Sequence, residues 1–511
     1  RPSGDALLEI RAESHKPAPE QAVSTAEPPA LWVRVGYVRT MTWGVRTAWV
    51  GLAATAGLVL STGVARAHDV TGSRFDAPVP LSALLVGAGA TVALTALWLA
   101  VSDRSPSPRG GERVVATVGA RPARAASVLL AAVFLAGVLA ALADGLTGRG
   151  VAAANLATVF AWPVWFRGLA LVAVLVGSPW PVLSPWRTAY RALCRVEGGA
   201  VAAFDYPTRL GSWPALVGFV LLVGVVENLT VVPRSPRLTT AVVACYGLWV
   251  AGGAVLFGPA WLDRADPLGV LYRLFGRVAP VATTRTETGA VAVAVRPPWQ
   301  DTRRPVSGIA LVAFVVAAVY TVSFDGFTET RTYQAVLFGV RDALGTGPPT
   351  SVPIYLAGLA AFVGVFVGTT RLCDLLGSMA GEERGVTADG GTGARAGAAL
   401  AFAPTVLPIA AAYDVAHNYP YVTRSTARLA ELVLAVPPLD PLGALSLPAY
   451  WGSQVVLVVV GHAFAVVAAH RVALDRYPSP SVARRAHLPL VVLMVGYTVL
   501  SLWIVSRPVV G

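Results

Sequence analysis

The feature that most constrains this chain is a series of apolar blocks, each about 20 residues long, separated by arginine-rich breaks. A helix needs about 20 apolar residues to cross a hydrocarbon core of about 30 Å. Only 13% of the 511 residues are charged, against roughly a quarter in soluble domains. The sequence therefore predicts an all-α polytopic transmembrane helix bundle that forms a single domain over residues 68–511.

We predict about ten spans after residue 68, with arginines concentrated in the loops that follow the odd-numbered spans. The spans are expected near 81–101, 125–144, 153–177, 213–231, 239–260, 307–324, 352–371, 396–419, 450–470 and 488–506. This positive-inside bias predicts a multi-pass protein of the cytoplasmic membrane with its mature N-terminus outside. It also predicts anionic lipid headgroups as partners of the inner face. The arginines form no patch interleaved with aromatic residues, so nucleic acid is not an expected partner.

The first 67 residues precede this domain and differ from it in composition. Residues 1–40 are polar and rich in Pro and Ala, and we expect a disordered or untranslated extension. Residues 41–67 carry Arg46, then an apolar centre, then Ala65-Arg66-Ala67. This order is typical of a secretory signal peptide cleaved after Ala67. An uncleaved first span, acting as a signal anchor, is the alternative. Both place His68 outside.

Two segments that follow predicted spans share one pattern. Residues 185–196 and 267–278 both read P-x4-YR-x3-RV, and a tryptophan, Trp180 or Trp261, precedes each copy. The match indicates a duplication of a span with its inner-face segment, of the parallel kind found in transporters. We expect both segments to be short interfacial helices with Tyr and Trp at headgroup level. A chance match of so short a pattern is the alternative.

Polar residues within spans are costly, so each is a candidate functional position. The candidates are Asn155, Glu227, Asn228, Asp325, Asp414, His417, Asn418, His462 and His470. The carboxylates and His417 are expected near the outer face. Pro404 and Pro408 are expected to kink the eighth span. The structural alternative for each candidate is a solvated position at the interface or a side chain bonded only to its neighbours.

A metal site is the most specific chemistry that these residues suggest. Asp414 and His417 are three apart, so they share one face of a helix. A carboxylate with an imidazole suits a divalent metal or a proton relay. His68 at a new N-terminus offers both an amine and a ring nitrogen, a chelate suited to copper. We therefore predict His68, Asp414, His417 and His462 as ligands of a copper or other divalent metal ion.

Three stretches carry a family resemblance: AHDVTGSRFDAP at 67–78, FAPTVLPIAAAYDVAHNYPY around His417, and YWGSQVVLVVVGHAFAVVAAHRVALDRY around His462 and His470. Together they resemble a group of prokaryotic multi-span membrane proteins, mostly actinobacterial and haloarchaeal, some labelled fenitrothion hydrolase. The resemblance implies a membrane protein with important histidines at 68, 417, 462 and 470. The residues themselves give no separate indication of organophosphate hydrolysis.

Three functional interpretations follow from the sequence. The first is a transporter or permease in which intramembrane carboxylates, Glu227, Asp325 and Asp414, carry a proton or cation. The second is a membrane metalloprotein, redox or hydrolytic, with an outer-facing His and Asp site. The third is a structural subunit of a membrane complex. The chain has no GxxxxGK[ST], HExxH or GxSxG motif, so the sequence assigns no catalytic residue.

Overall fold

Ten apolar helices dominate the computed structural model, which describes residues 80–102, 112–382 and 397–507. Within these residues, nine helices are long and apolar enough to cross a membrane, and a tenth, Trp213–Glu227, is shorter. The ten are α1 Leu81–Ser102, α2 Ala120–Thr147, α3 Leu156–Val176, α6 Trp213–Glu227, α7 Pro236–Phe257, α10 Ile309–Thr328, α12 Ser351–Glu382, α13 Ala398–Leu434, α14 Leu447–Arg476 and α16 Leu488–Val505. The predicted all-α membrane bundle is confirmed. The predicted segments 1–40 and 41–67 lie outside the described residues, as does His68.

Shorter elements connect these helices. The short helices are α4 Trp180–Leu183, α5 Pro185–Val196, α8 Pro259–Arg264, α9 Pro267–Phe275, α11 Arg331–Leu344 and α15 Pro480–Ala486. Single 3-10 turns occupy Ala152–Ala154, Thr208–Leu210, Val232–Arg234, Asp301–Arg303 and Pro348–Thr350. The strands are β1 Arg113–Val118, β2 Val281–Arg285 and β3 Val291–Val295.

The three strands form an antiparallel sheet in the order β1-β3-β2. Val295 of β3 pairs with Arg113 of β1 on one side and with Val281 of β2 on the other. Alternating, β-branched sequences such as VATTR and VAVAV favour this conformation. The sheet joins the α1–α2 connection to the α9–α10 connection, so both lie on one side of the bundle, here called the sheet face. This shared side agrees with the predicted alternation of the spans.

Helix α10 lies at the centre of the bundle and several other spans lie at its edge. The apolar window of α10 is 89% buried, whereas those of α2 and α12 are each 11% buried. The edge helix α1 packs against α14 and α16, which come from the other end of the chain. In a bilayer, such exposed apolar helices face lipid.

The two copies of the sequence repeat both form helices. Ser184 accepts a hydrogen bond from the Arg187 backbone N–H at the start of α5, and Asp266 does the same for Gly269 at the start of α9. These are ordinary N-caps ahead of a proline at the first helical position. The position of both helices at the membrane interface stays a prediction. Nearly all residues of α9 are buried by protein, so this helix presents little surface to headgroups.

Asp266 also links the two copies. Its carboxylate accepts hydrogen bonds from Trp180 Nε1 at 2.6 Å and from the Tyr246 hydroxyl at 2.6 Å. The side chain is 1% exposed, and burial raises the pKa of this carboxyl while the donors oppose the rise. The first copy is thus bonded through Trp180 to the cap of the second.

Helix α13 extends well beyond the predicted span. The prediction ended it at 419, but the helix continues to Leu434 with Pro420 in its interior. A 3-10 segment, Ala403–Val406, interrupts it at Pro404, because proline removes a backbone donor. Asp414 and His417 therefore lie in the middle of the helix rather than at its outer end.

Gly364 and Gly368 of α12 form a GxxxG pattern, but neither mediates close packing among the described residues. A Cβ added to Gly364 or Gly368 would meet no atom within 4 Å. Close helix packing occurs instead at Gly461 of α14. A Cβ there would lie 2.7 Å from the Pro408 carbonyl oxygen. Helix α12 ends at Glu382, and residues 383–396 lie outside the described residues.

Candidate functional site: a buried ionic cluster

A cluster of charged and amide side chains joins α3, α6 and α13. Arg167 is at its centre: Nε donates to Glu227 Oε1 at 2.7 Å, Nη1 donates to Asp414 Oδ1 at 3.2 Å, and Nη2 donates to Asn228 Oδ1 at 3.3 Å. Asn418 Nδ2 donates to the same Asp414 oxygen at 3.1 Å. These five residues are here called the ionic cluster. Each of them is at most 5% exposed.

Unusual helix geometry positions two members of the ionic cluster. Arg167 lies in a π-helical stretch, Phe160–Gly168, and Glu227 ends another, Val220–Glu227. Pro163 lies inside the first stretch and has no N–H for an α-helical bond. Single π turns are rare and occur frequently at functional sites. Here the two successive spans α3 and α6 each contain a π-helical stretch, and these stretches direct Arg167 and Glu227 towards each other.

Helix α6 ends at Glu227, and the chain then continues through a buried, irregular turn. Asn228, Leu229 and Thr230 are each less than 5% exposed. The Thr230 hydroxyl donates to the Val226 carbonyl and accepts from the Val232 backbone N–H at 3.1 Å. Irregular backbone within a membrane protein is tolerated only where protein or a cavity covers it.

The charges of the ionic cluster do not balance. One guanidinium faces two carboxylates, so the formal charge is negative when both are ionised. Glu227 Oε2, Asp414 Oδ2 and Asn418 Oδ1 are buried acceptors without a hydrogen-bond partner. A buried acceptor with no donor is costly, and a buried carboxylate oxygen more so. A proton on one carboxyl would remove the excess charge.

A second ionisable pair lies beside the ionic cluster. His417 Nε2 lies 3.2 Å from Asp325 Oδ2, with Asp325 on the central helix α10. His417 also lines a cavity of about 40 Å³ between the ends of α10 and α16 and the start of α14, away from the sheet face. Glu329, Gln454 and Arg507 line the same cavity. Asp414 and His417 share a helix face, so the pair lies next to the ionic cluster.

The other predicted site residues lie elsewhere. Asn155 caps α3, accepting from the Ala157 backbone N–H and donating to the Asp144 and Arg149 carbonyls. His462 is fully buried, donates from Nδ1 to the Val458 carbonyl at 2.8 Å, and packs against the Tyr497 ring. His470 Nδ1 lies 3.4 Å from His487 Nε2 near the sheet face. Of the predicted residues, the structure thus brings together Glu227, Asn228, Asp325, Asp414, His417 and Asn418.

Within the described ranges, no group of three or more His, Cys, Asp or Glu side chains is placed to hold a metal ion. Asp414 is engaged by Arg167 and Asn418, and His462 bonds to backbone. The predicted metal site also includes His68, which lies outside those ranges, so this part of the hypothesis stays a prediction.

Arg167 is the residue that the sequence analysis missed. It lies in the segment WPVWFR of a predicted span, where a guanidinium is as costly as a carboxylate. Arginines were interpreted only as topological signals between spans. An arginine well inside an apolar block is the signal that would have identified it.

No family model matches this chain, and neither a curated protein nor a solved structure matches it. Fold and site together define the class: an integral membrane protein built as a helical bundle, with an ionic cluster buried among its spans.

Proposed function

We propose that the protein is a proton-coupled transporter in which Glu227 and Asp414 take up and release the proton. The observation that supports this most directly is the pair of unpartnered carboxylate oxygens, Glu227 Oε2 and Asp414 Oδ2, on either side of Arg167. Intramembrane ionisable residues are retained mainly along proton and substrate pathways.

Arg167 gives the ionic cluster two alternative states. It binds one oxygen of each carboxylate at 2.7 and 3.2 Å. A proton added to either carboxyl weakens its bond to the guanidinium, because hydrogen bonds between ionised groups are roughly twice as strong as neutral ones. The guanidinium then favours the carboxylate that remains ionised. Glu227 belongs to α6 and Asp414 belongs to α13. A change in which carboxylate Arg167 binds more strongly therefore changes the distance between these two helices.

His417 and Asp325 provide the route by which the proton reaches the ionic cluster. His417 lines the cavity that faces away from the sheet face and touches Asp325. Imidazole is the side chain best suited to exchange protons near neutral pH. The proton passes from the cavity to His417 and then to the carboxylates beside Arg167.

Proton flux in proteoliposomes tests this function. The purified protein is reconstituted with the pH-sensitive dye pyranine inside, and a potassium diffusion potential is imposed with valinomycin. We expect proton uptake with the wild type and its loss in Glu227→Gln and Asp414→Asn. Asp263→Asn is the matched control, because Asp263 pairs with Arg187 at 2.7 Å but is 56% exposed in its side chain. Wild-type flux no greater than that of protein-free liposomes, or undiminished flux in both variants, would overturn the proposal.

A further inference from the structure

A second cavity is separate from the ionic cluster and has a different chemistry. It measures about 440 Å³ and lies between α10, α12, α13 and α16. Its walls include Val319 of α10, Phe362 and Phe366 of α12, Ile409 of α13, and Met494 of α16. Protein interiors contain few voids larger than a water molecule, whereas ligand sites measure roughly 300–1,000 Å³. The cavity therefore has the size of a binding site rather than of a packing defect.

The cavity opens sideways, between α12 and α16. Val365 and Val492 line it and are 54% and 63% exposed, which marks its open side. Both residues belong to apolar helices that are long enough to span a membrane. This opening therefore faces the hydrocarbon of the bilayer, and a ligand enters from the lipid.

The chemistry of the walls selects a ligand that needs no hydrogen bond. The hydroxyl of Tyr497, one of the lining residues, already donates to the Val319 carbonyl at 3.0 Å and bonds to the Ser323 hydroxyl. The other lining side chains are apolar. A polar ligand group placed here would lose its hydrogen bonds to water without replacement. An apolar chain would bind here through van der Waals contacts alone.

We propose that this cavity is a binding site for a single hydrocarbon chain of a membrane lipid. The bilayer is the medium at the opening, so its acyl chains are present there at high concentration. A chain seated in the cavity contacts both the edge helices α12 and α16 and the central helix α10. This site does not depend on the proton function, although α10 and α13 contribute to both.

Two glycines provide a matched test. Gly496 lines the cavity, and a Cβ added there meets no atom within 4 Å. The first carbon of a new side chain therefore has room at Gly496, and Gly496→Phe adds a ring at the cavity. Gly364 of α12 also has no atom within 4 Å of an added Cβ but does not line the cavity. Gly364→Phe adds the same side chain outside the cavity.

The assay is photolabelling in nanodiscs of phosphatidylcholine whose acyl chain carries a diazirine near its middle, followed by peptide mass spectrometry. We expect labelling of cavity residues such as Met494 and Ile409 in the wild type and in Gly364→Phe, and its loss in Gly496→Phe. Gly496→Leu is the second filling variant, used if the phenylalanine form does not fold. Labelling of Ile409 that is equal in all folded variants, or absent from the wild type, would overturn the proposal.

No gradient is imposed in this assay, so its outcome is independent of proton flux. Loss of labelling with intact flux, or the reverse, separates the two proposals.

Discussion

Removal of the buried cation is the change that tests the ionic cluster most sharply. Arg167→Met keeps an unbranched side chain of similar length but leaves Glu227 and Asp414 without their shared partner. Arg167 makes two hydrogen bonds to carboxylates and one to Asn228. Each bond to a charged group contributes about 1.5–3 kcal/mol, and breaking a buried ion pair costs about 3–5 kcal/mol. We expect the free energy of unfolding to fall by about 4 kcal/mol, or nearly three orders of magnitude in the unfolding equilibrium constant.

The assay is SDS titration of the purified protein in mixed micelles, followed by circular dichroism. The triple variant Arg167→Met, Glu227→Gln, Asp414→Asn carries no buried charge in the ionic cluster, so it should be more stable than Arg167→Met alone. Residues in one network are expected to be non-additive by about 0.5–3 kcal/mol. A stability of Arg167→Met within about 1 kcal/mol of wild type, or a triple variant whose loss equals the sum of the single ones, would refute this reasoning.

Three further predictions concern packing and the sheet face. Gly461→Ala should destabilise the protein by about 1–3 kcal/mol, because the new methyl group meets the Pro408 carbonyl, whereas Gly364→Ala should be neutral. Thermal unfolding in detergent compares the two variants, and equal melting temperatures would contradict this prediction. Asp266→Asn should cost about 1–3 kcal/mol through its bonds to Trp180 and Tyr246, again read from thermal unfolding, where an unchanged midpoint would count against it. Arg191→Gln should reduce the phosphatidylglycerol that native mass spectrometry finds bound. Burial and neighbouring arginines lower the pKa of Arg191, so an anionic headgroup is a favourable partner there, and unchanged lipid retention would contradict this.

The architecture could be predicted because hydrophobic length is a local property. Each block of about 20 apolar residues is sufficient by itself to indicate a span, and arginine placement orders the spans. The sheet could not be predicted in this way. Its strands are only five or six residues long, and β1 finds its partner β3 far along the chain. Such pairing depends on where the helices place the loops.

The carboxylates of the ionic cluster could be predicted from the sequence, but its geometry could not. Glu227 and Asp414 were identifiable because acidic residues are rare inside spans. Their meeting at Arg167 depends on π turns in α3 and α6. Such a turn rotates the side chains that follow it about the helix axis, and it has no clear sequence signature. The end of α13 could not be predicted from the apolar block, which stops near residue 419. The helix continues through Pro420 to Leu434.

The contacts of α1 have a consequence for how the chain is made. This helix is the first apolar helix of the described chain to be synthesised, but its neighbours are α14 and α16, which emerge last. At about 5–20 residues per second, the interval is on the order of tens of seconds. During that time α1 must remain in the membrane with its packing surface facing lipid. Helix α1 can therefore pack against α14 and α16 only late in synthesis, and a chain truncated before α14 would leave α1 without these neighbours.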